Sequence, residues 1–176
     1  MSMTDMVLII DPDKCTGCHS CEMACSMKHF GKNHPAYSRV RIHEFRDVNT
    51  FIPVTCQACE EAPCMKVCPM GARIRQANGA VVTKEDACIG CRACIYVCPM
   101  AAPAINPESG KTMTCNLCEG EEKPWCVRAC TMQGALQYVP KHMVTKVSGQ
   151  KFAWAMKEEF TPKVKEEASK FGFSFA

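Results

Sequence analysis

Residues 88–99 read Cys88-Ile89-Gly90-Cys91-Arg92-Ala93-Cys94-Ile95-Tyr96-Val97-Cys98-Pro99. Gaps of two, two and three residues separate the cysteines, and a proline closes the run. Moving outward, the same gaps separate Cys15, Cys18, Cys21 and Cys25. Cys56, Cys59, Cys64 and Cys68 are spaced by two, four and three residues ahead of Pro69. Cys115, Cys118, Cys126 and Cys130 are spaced by two, seven and three. All 16 cysteines of the 176-residue chain fall into these groups, so the sequence is a fourfold repeat.

The spacing has a chemical reading. Three cysteines two residues apart wrap a loop around one iron-sulfur cubane, and the fourth is expected on the following helix, facing a neighbouring cluster. Four such groups supply four 4Fe-4S clusters with no ligand missing and none left over. Zinc also accepts all-cysteine sites, but normally from two pairs of cysteines per ion rather than a triplet with a distant fourth. Spacing alone leaves open which groups share clusters; adjacency along the chain would join the first with the second and the third with the fourth.

Composition agrees with a metal-filled interior. Leu, Ile, Val and Phe make up about 18% of the chain, under the roughly 20% below which a core is hard to build, and there are only three leucines. The net charge is a modest +3, from 21 basic and 18 acidic residues, so charge repulsion does not explain the shortage as disorder. No run approaches the ~20 apolar residues of a spanning helix, and the first residues have neither the basic start of a secretory signal nor a twin-arginine pair. The expectation is a cytoplasmic protein without a membrane anchor, in a compartment where disulfides are rare. The absence of a basic run gives no support for nucleic-acid binding.

The residues after each group extend the repeat. Pro69-Met70-Gly71-Ala72-Arg73-Ile74, Pro99-Met100-Ala101-Ala102-Pro103-Ala104-Ile105 and Thr131-Met132-Gln133-Gly134-Ala135-Leu136 place small residues beside a cluster and then an aliphatic that opens a strand. Asn78-Gly79 reads as a type I′ hairpin turn, and Ser109-Gly110 as a similar turn ahead of Met113. After Cys25 the sequence runs on as Ser26-Met27-Lys28, predicting a helix to about Phe30. Each unit is thus a strand, a cysteine loop, a short helix and another strand, an α+β fold.

The four-group order, with the four-residue gap in the second group and the wide gap in the fourth, resembles the ferredoxin-type electron-transfer subunits of molybdenum and tungsten pterin oxidoreductases. Dimethyl sulfoxide reductases, formate dehydrogenases and some hydrogenase complexes carry such subunits. The likeness runs from about Val7 to Tyr138, and takes in Ser38-Arg39-Val40-Arg41-Ile42-His43-Glu44 and Pro53-Val54-Thr55-Cys56-Gln57-Ala58-Cys59. The resemblance implies that group one pairs with group four and group two with group three. One cluster would take Cys15, Cys18, Cys21 and Cys130, its neighbour Cys25, Cys115, Cys118 and Cys126. The others would take Cys56, Cys59, Cys64 with Cys98, and Cys68 with Cys88, Cys91 and Cys94. The resemblance thus implies two nested ferredoxin-like modules: an outer one of residues 1–30 and 110–140, and an inner one with its inserted segment over 31–109; residues 141–176, beyond the likeness, read as a helical, aromatic-rich tail.

The implied function is a relay of single electrons between a catalytic pterin-dependent subunit, oxidising an aldehyde or formate, and a second redox partner such as a flavin subunit, a ferredoxin or a hydrogenase. Self-association into a conducting stack is a further expectation. The alternative is an assembly or maturation factor for such an enzyme. No dinucleotide loop or nucleophile motif suggests a substrate site. Lys14, Lys66, Arg92 and Arg128 lie in or beside the cysteine groups, either offsetting cluster charge or facing solvent. The five histidines are assigned to surface or packing roles, and Met23, Met65, Met70, Met100 and Met132 to packing around the clusters. In the tail, Phe152, Met156 and Phe160 form a helical stripe, Thr161-Pro162 opens a second helix, and the aromatics are expected to dock on a partner or a second copy, unless they fold back over the core.

Overall fold

The structure is a computed structural model of the chain, and it describes residues 6–131 and 134–144. The described strands and helices are short: β1 (Met6–Ile10), α1 (Ser20–Phe30), β2 (Arg41–Phe45), β3 (Thr50–Val54), α2 (Pro63–Lys66), β4 (Arg73–Arg75), β5 (Val81–Thr83), α3 (Ala93–Tyr96), β6 (Ala104–Ile105), β7 (Thr112–Met113), α4 (Trp125–Arg128) and β8 (Leu136–Pro140). The fold is α+β. One compact unit ends at Val139 and a second begins at Pro140. Phe152, Trp154, Met156, Phe160, Thr161 and Pro162 of the expected tail lie outside the described residues, as does Met132.

The strands pair two by two. β1 pairs with β8, so the first and last strands of the repeat region meet, and β2–β3, β4–β5 and β6–β7 are local pairs. The β2–β3 hairpin is antiparallel from Arg41 opposite Val54 to Phe45 opposite Thr50. Helix α1 packs against α4, and α2 against α3.

Helix α1 ends where the sequence predicts: Gly31, in the left-handed conformation, donates its N–H to the Met27 carbonyl. The other helices are single turns. There the expectation for the fourth cysteine needs correcting. Cys25 lies within α1, but Cys68, Cys98 and Cys130 lie just beyond α2, α3 and α4, and it is the third cysteines, Cys64, Cys94 and Cys126, that sit on these helices. Pro69 and Pro99 disfavour a helical conformation in the cysteine before them, and the Cys68 and Cys98 N–H groups close the turn onto the Met65 and Ile95 carbonyls at 3.3 Å each.

The Asn78-Gly79 turn also differs from the primed type expected. Gly79 has φ +85°, whereas Asn78 is not among the residues with positive φ. Gly79 N–H closes onto the Gln76 carbonyl at 2.9 Å, and Gln76 N–H onto the Ala80 carbonyl at 2.8 Å, giving a five-residue connection. The reason is the Asn78 side chain, which accepts from Ala80 N–H at 3.0 Å and donates to the Asn116 carbonyl at 3.0 Å. It ties the hairpin to the fourth cysteine group.

Buried apolar residues form two clusters. The larger holds all three leucines, Leu8, Leu117 and Leu136, with Val40, Val127 and the cysteines Cys21, Cys25 and Cys126. The smaller is Ala62, Cys64, Val81 and Cys94. Cysteines are part of both cores.

Candidate metal centres

The first Cys-x-x-Cys step of each of the four groups shares one backbone device. The residue before the second cysteine has positive φ in each: Gly17 (+67°), Ala58 (+49°), Gly90 (+70°) and Leu117 (+56°). This turn aims a peptide N–H back at the first cysteine. Leu117 N–H donates to Cys115 Sγ at 3.4 Å, and Ala58 and Gly90 donate likewise to Cys56 and Cys88. At Gly17 a Cβ would stand 2.4 Å from the Phe51 ring, so a side chain there would force that ring to move. Ala58 and Leu117 bear the strain of a left-handed residue, which glycine motifs in the sequence could not reveal.

These loops bring the cysteines around cavities. Cys15, Cys18, Cys21 and Cys130 line one, with Ile42, Pro53 and Leu136 as apolar wall. Cys56, Cys59, Cys64 and Cys98 line a second. Cys68, Cys88, Cys91 and Cys94 line a third. Each cavity therefore takes three cysteines from one group and one from another. Of the remaining four, Cys126 lies among sulfurs: burial raises its thiol well above its usual range, and Cys115, Cys25 and Cys118, with Cys21 of the first set, push it the same way.

The donor set fits iron-sulfur clusters. Among the described residues, no three Cys, His, Asp or Glu side chains converge as a single metal ion requires; the sulfurs instead stand around a shared space. A cluster presents several irons, each needing one thiolate. Burial pushes the Cys21 and Cys115 thiols up to about 12, so a thiolate at either place needs positive charge beside it.

Further groups point at the sulfurs. Arg39 N–H donates to Cys25 Sγ at 3.3 Å. The Thr131 hydroxyl lies 3.7 Å from Cys18 Sγ. Thr112 Oγ1 lies 3.6 Å from Cys94 Sγ and 3.8 Å from Cys88 Sγ. Arg73, which is 3% exposed, reaches Cys64 Sγ with Nη2 at 3.6 Å. Arg73 escapes a sequence reading because alternation along Arg73-Ile74-Arg75 would bury the isoleucine and expose both arginines.

Of the cations singled out by sequence, Lys14 pairs with Asp11 at 3.8 Å, Lys66 with Glu61, and Arg128 with Glu121 at 3.7 Å. Arg92 lines the third cysteine cavity. His19 bridges Glu22 at 2.6 Å and Glu44 at 2.9 Å, which locks α1 to β2. Met65 packs on the smaller core, as expected. Met70 and Met100 line the third and second cavities, yet are 50% and 41% exposed, so they form cavity rims rather than buried filling.

Known proteins are similar to this chain. A family model described as a 4Fe-4S dicluster domain matches residues 48–139, and one described as a 4Fe-4S binding domain matches residues 6–27. The chain is 41% identical over 129 residues to the aliphatic sulfonate oxidoreductase polyferredoxin-like subunit of Pyrococcus furiosus, covering 72% of each protein. It is 36% identical over 165 residues to a component of the anaerobic dimethyl sulfoxide reductase of Escherichia coli, covering 83% of this chain and 78% of the relative. It is 34% identical over 137 residues to the thiosulfate reductase electron transfer subunit PhsB of Salmonella typhi, covering 70% of each. Among the described residues no helix is long and apolar enough to cross a membrane.

Proposed function

Because the chain belongs to the iron-sulfur, ferredoxin-type electron-transfer subunits of oxidoreductase complexes, we propose that it relays single electrons through four 4Fe-4S clusters and performs no bond chemistry of its own. A cluster supplies reversible one-electron exchange, and the chain supplies thiolates, exclusion of water and hydrogen bonds to sulfur. The three cysteine-lined cavities carry this reading, since each draws on two groups in the crossed manner. Cys15, Cys18, Cys21 and Cys130 hold one cluster, and Cys25, Cys115, Cys118 and Cys126 a second. Cys56, Cys59, Cys64 and Cys98 hold a third, and Cys68, Cys88, Cys91 and Cys94 the fourth.

The pairing of β1 with β8, and of α1 with α4 and α2 with α3, supports two nested ferredoxin-like modules. The catalytic partner is a molybdenum or tungsten pterin enzyme, and a flavin subunit, ferredoxin or hydrogenase takes the far end of the relay.

The test is anaerobic purification with iron and sulfide analysis, then reductive titration followed by electron paramagnetic resonance. About sixteen irons per chain and four reversibly reducible centres are expected. Cys130→Ser should perturb only the centre held with Cys15, Cys18 and Cys21, and Cys98→Ser only that held with Cys56, Cys59 and Cys64. Clusters that leave for an apo-acceptor protein and fail to support electron flow would instead indicate an assembly factor.

A further inference from the structure

Arg73 stands between two cysteine sets, and the described residues give it no carboxylate partner. Its guanidinium is buried. Its Nη1 donates to the Thr83 hydroxyl at 2.7 Å and the Thr114 hydroxyl at 3.0 Å, and its Nη2 to the Val81 carbonyl at 3.3 Å. All of these are neutral acceptors. Its Nε is buried without a partner among the described residues. A cation taken out of water is strongly unfavourable unless negative charge lies near it. The nearest candidates are sulfurs: Cys64 Sγ at 3.6 Å on one side, and on the other the cavity of Cys68, Cys88, Cys91 and Cys94, whose wall includes Arg73 itself.

A second path leads to that cavity. Thr83 Oγ1, which accepts from Arg73, lies 3.2 Å from Thr112 Oγ1. Thr112 in turn reaches Cys94 at 3.6 Å and Cys88 at 3.8 Å. With Arg73 as donor at one end, Thr83 can donate to Thr112 and Thr112 to Cys88 Sγ. Each bond polarises the next.

We propose that Arg73 is the shared counter-charge of the two inner clusters and sets their reduction potentials, acting directly through Cys64 and through Thr83 and Thr112 on Cys88. Reduction adds one electron from the redox partner and no proton, so the inner centres grow more negative beside a fixed cation. That favours their reduced state and makes the inner pair the electron-holding part of the relay. This rests on the cluster assignment proposed above.

The experiment is a redox titration of the anaerobically purified full chain, following each centre by electron paramagnetic resonance. Arg73→Gln should disfavour reduction of both inner centres at least tenfold, a shift of about 59 mV for one electron, and leave the outer two unmoved. Thr112→Val should shift only the centre of Cys68, Cys88, Cys91 and Cys94. A loaded Arg73→Gln protein with all potentials within threefold of the parent overturns the proposal. If Arg73→Gln sheds its inner clusters, Arg73→Lys decides: retention of both supports a charge role, and loss in both variants means packing and overturns it. A parent protein without iron and sulfide would refute the cluster assignment itself, a different result from unshifted potentials.

Discussion

Single residues fix the cysteine loops, and Gly17 shows how tightly. Replacing it by alanine puts a Cβ 2.4 Å from the Phe51 ring at φ +67°. Backbone strain and overpacking together should cost about 2–4 kcal/mol. Gly79 is also left-handed, at φ +85°, but has open space around it, so Gly79→Ala should cost only about 1 kcal/mol. Thermal unfolding of the two loaded variants tests the contrast; equal losses would mean that the Phe51 contact is unimportant. His29 sets a pH dependence of its own. Burial, then the charges of Arg39 and Lys28, depress its pKa to about 4 from the usual 6.5. Between these values the unfolded chain binds the proton and the folded one does not, so stability present above pH 6.5 is lost as pH falls toward 4. His29→Gln should flatten the decline in melting temperature between about pH 6.5 and 5; an unchanged slope would assign it to other groups.

Elements carry the next level of order, and here Arg75 joins two of them. Its guanidinium donates to the Ala58, Cys59 and Glu60 carbonyls at 3.2, 2.5 and 3.0 Å and to Gly79 at 2.9 Å. It thereby fastens the second cysteine loop to the β4–β5 hairpin. Arg75→Ala should destabilise by about 1–3 kcal/mol and speed iron release to a chelator from the centre of Cys56 and Cys59. Release at the parent's rate would count against that brace. The elements themselves were largely legible, because the repeat announces them: α1 reaches Phe30, and Ile74, Ile105 and Leu136 each lie in a short strand. Hairpin geometry was not, since Asn78 spends its side chain on Asn116, a residue 38 positions away that no local pattern signals. Arg73 was hidden for a related reason. Its burial is decided by Cys64, Thr83 and Thr114, which come together only in the fold. The four cysteine groups were legible because their chemistry lies in spacing along the chain, whereas the sharing of a cavity between two groups is decided only in the fold.

For the whole molecule, the shortage of aliphatic residues has a structural counterpart. Cys21, Cys25, Cys64, Cys94, Cys118 and Cys126 are six of the buried apolar side chains, and alanines make up much of the rest. Such a core supplies little hydrophobic stabilisation without metal, so metal binding is expected to drive folding. Removing iron with a chelator and mild oxidant should abolish the cooperative melting transition and near-ultraviolet circular dichroism. An apo chain that still melts cooperatively would show that the side chains suffice alone. Charge changes too. With about −2 per oxidised cluster and its thiolates, the +3 of the bare chain becomes roughly −5.

The cavity lined by Cys15, Cys18 and Cys21 is closed by Cys130, and that imposes a timetable on the ribosome. The first three are made early, yet their fourth wall arrives about 110 residues later, on the order of 5–20 s at ~5–20 residues per second. The cysteine set of the cavity of Cys56, Cys59 and Cys64 is complete as soon as Cys98 emerges. A growing chain can therefore complete the cysteine set of its middle before that of its beginning.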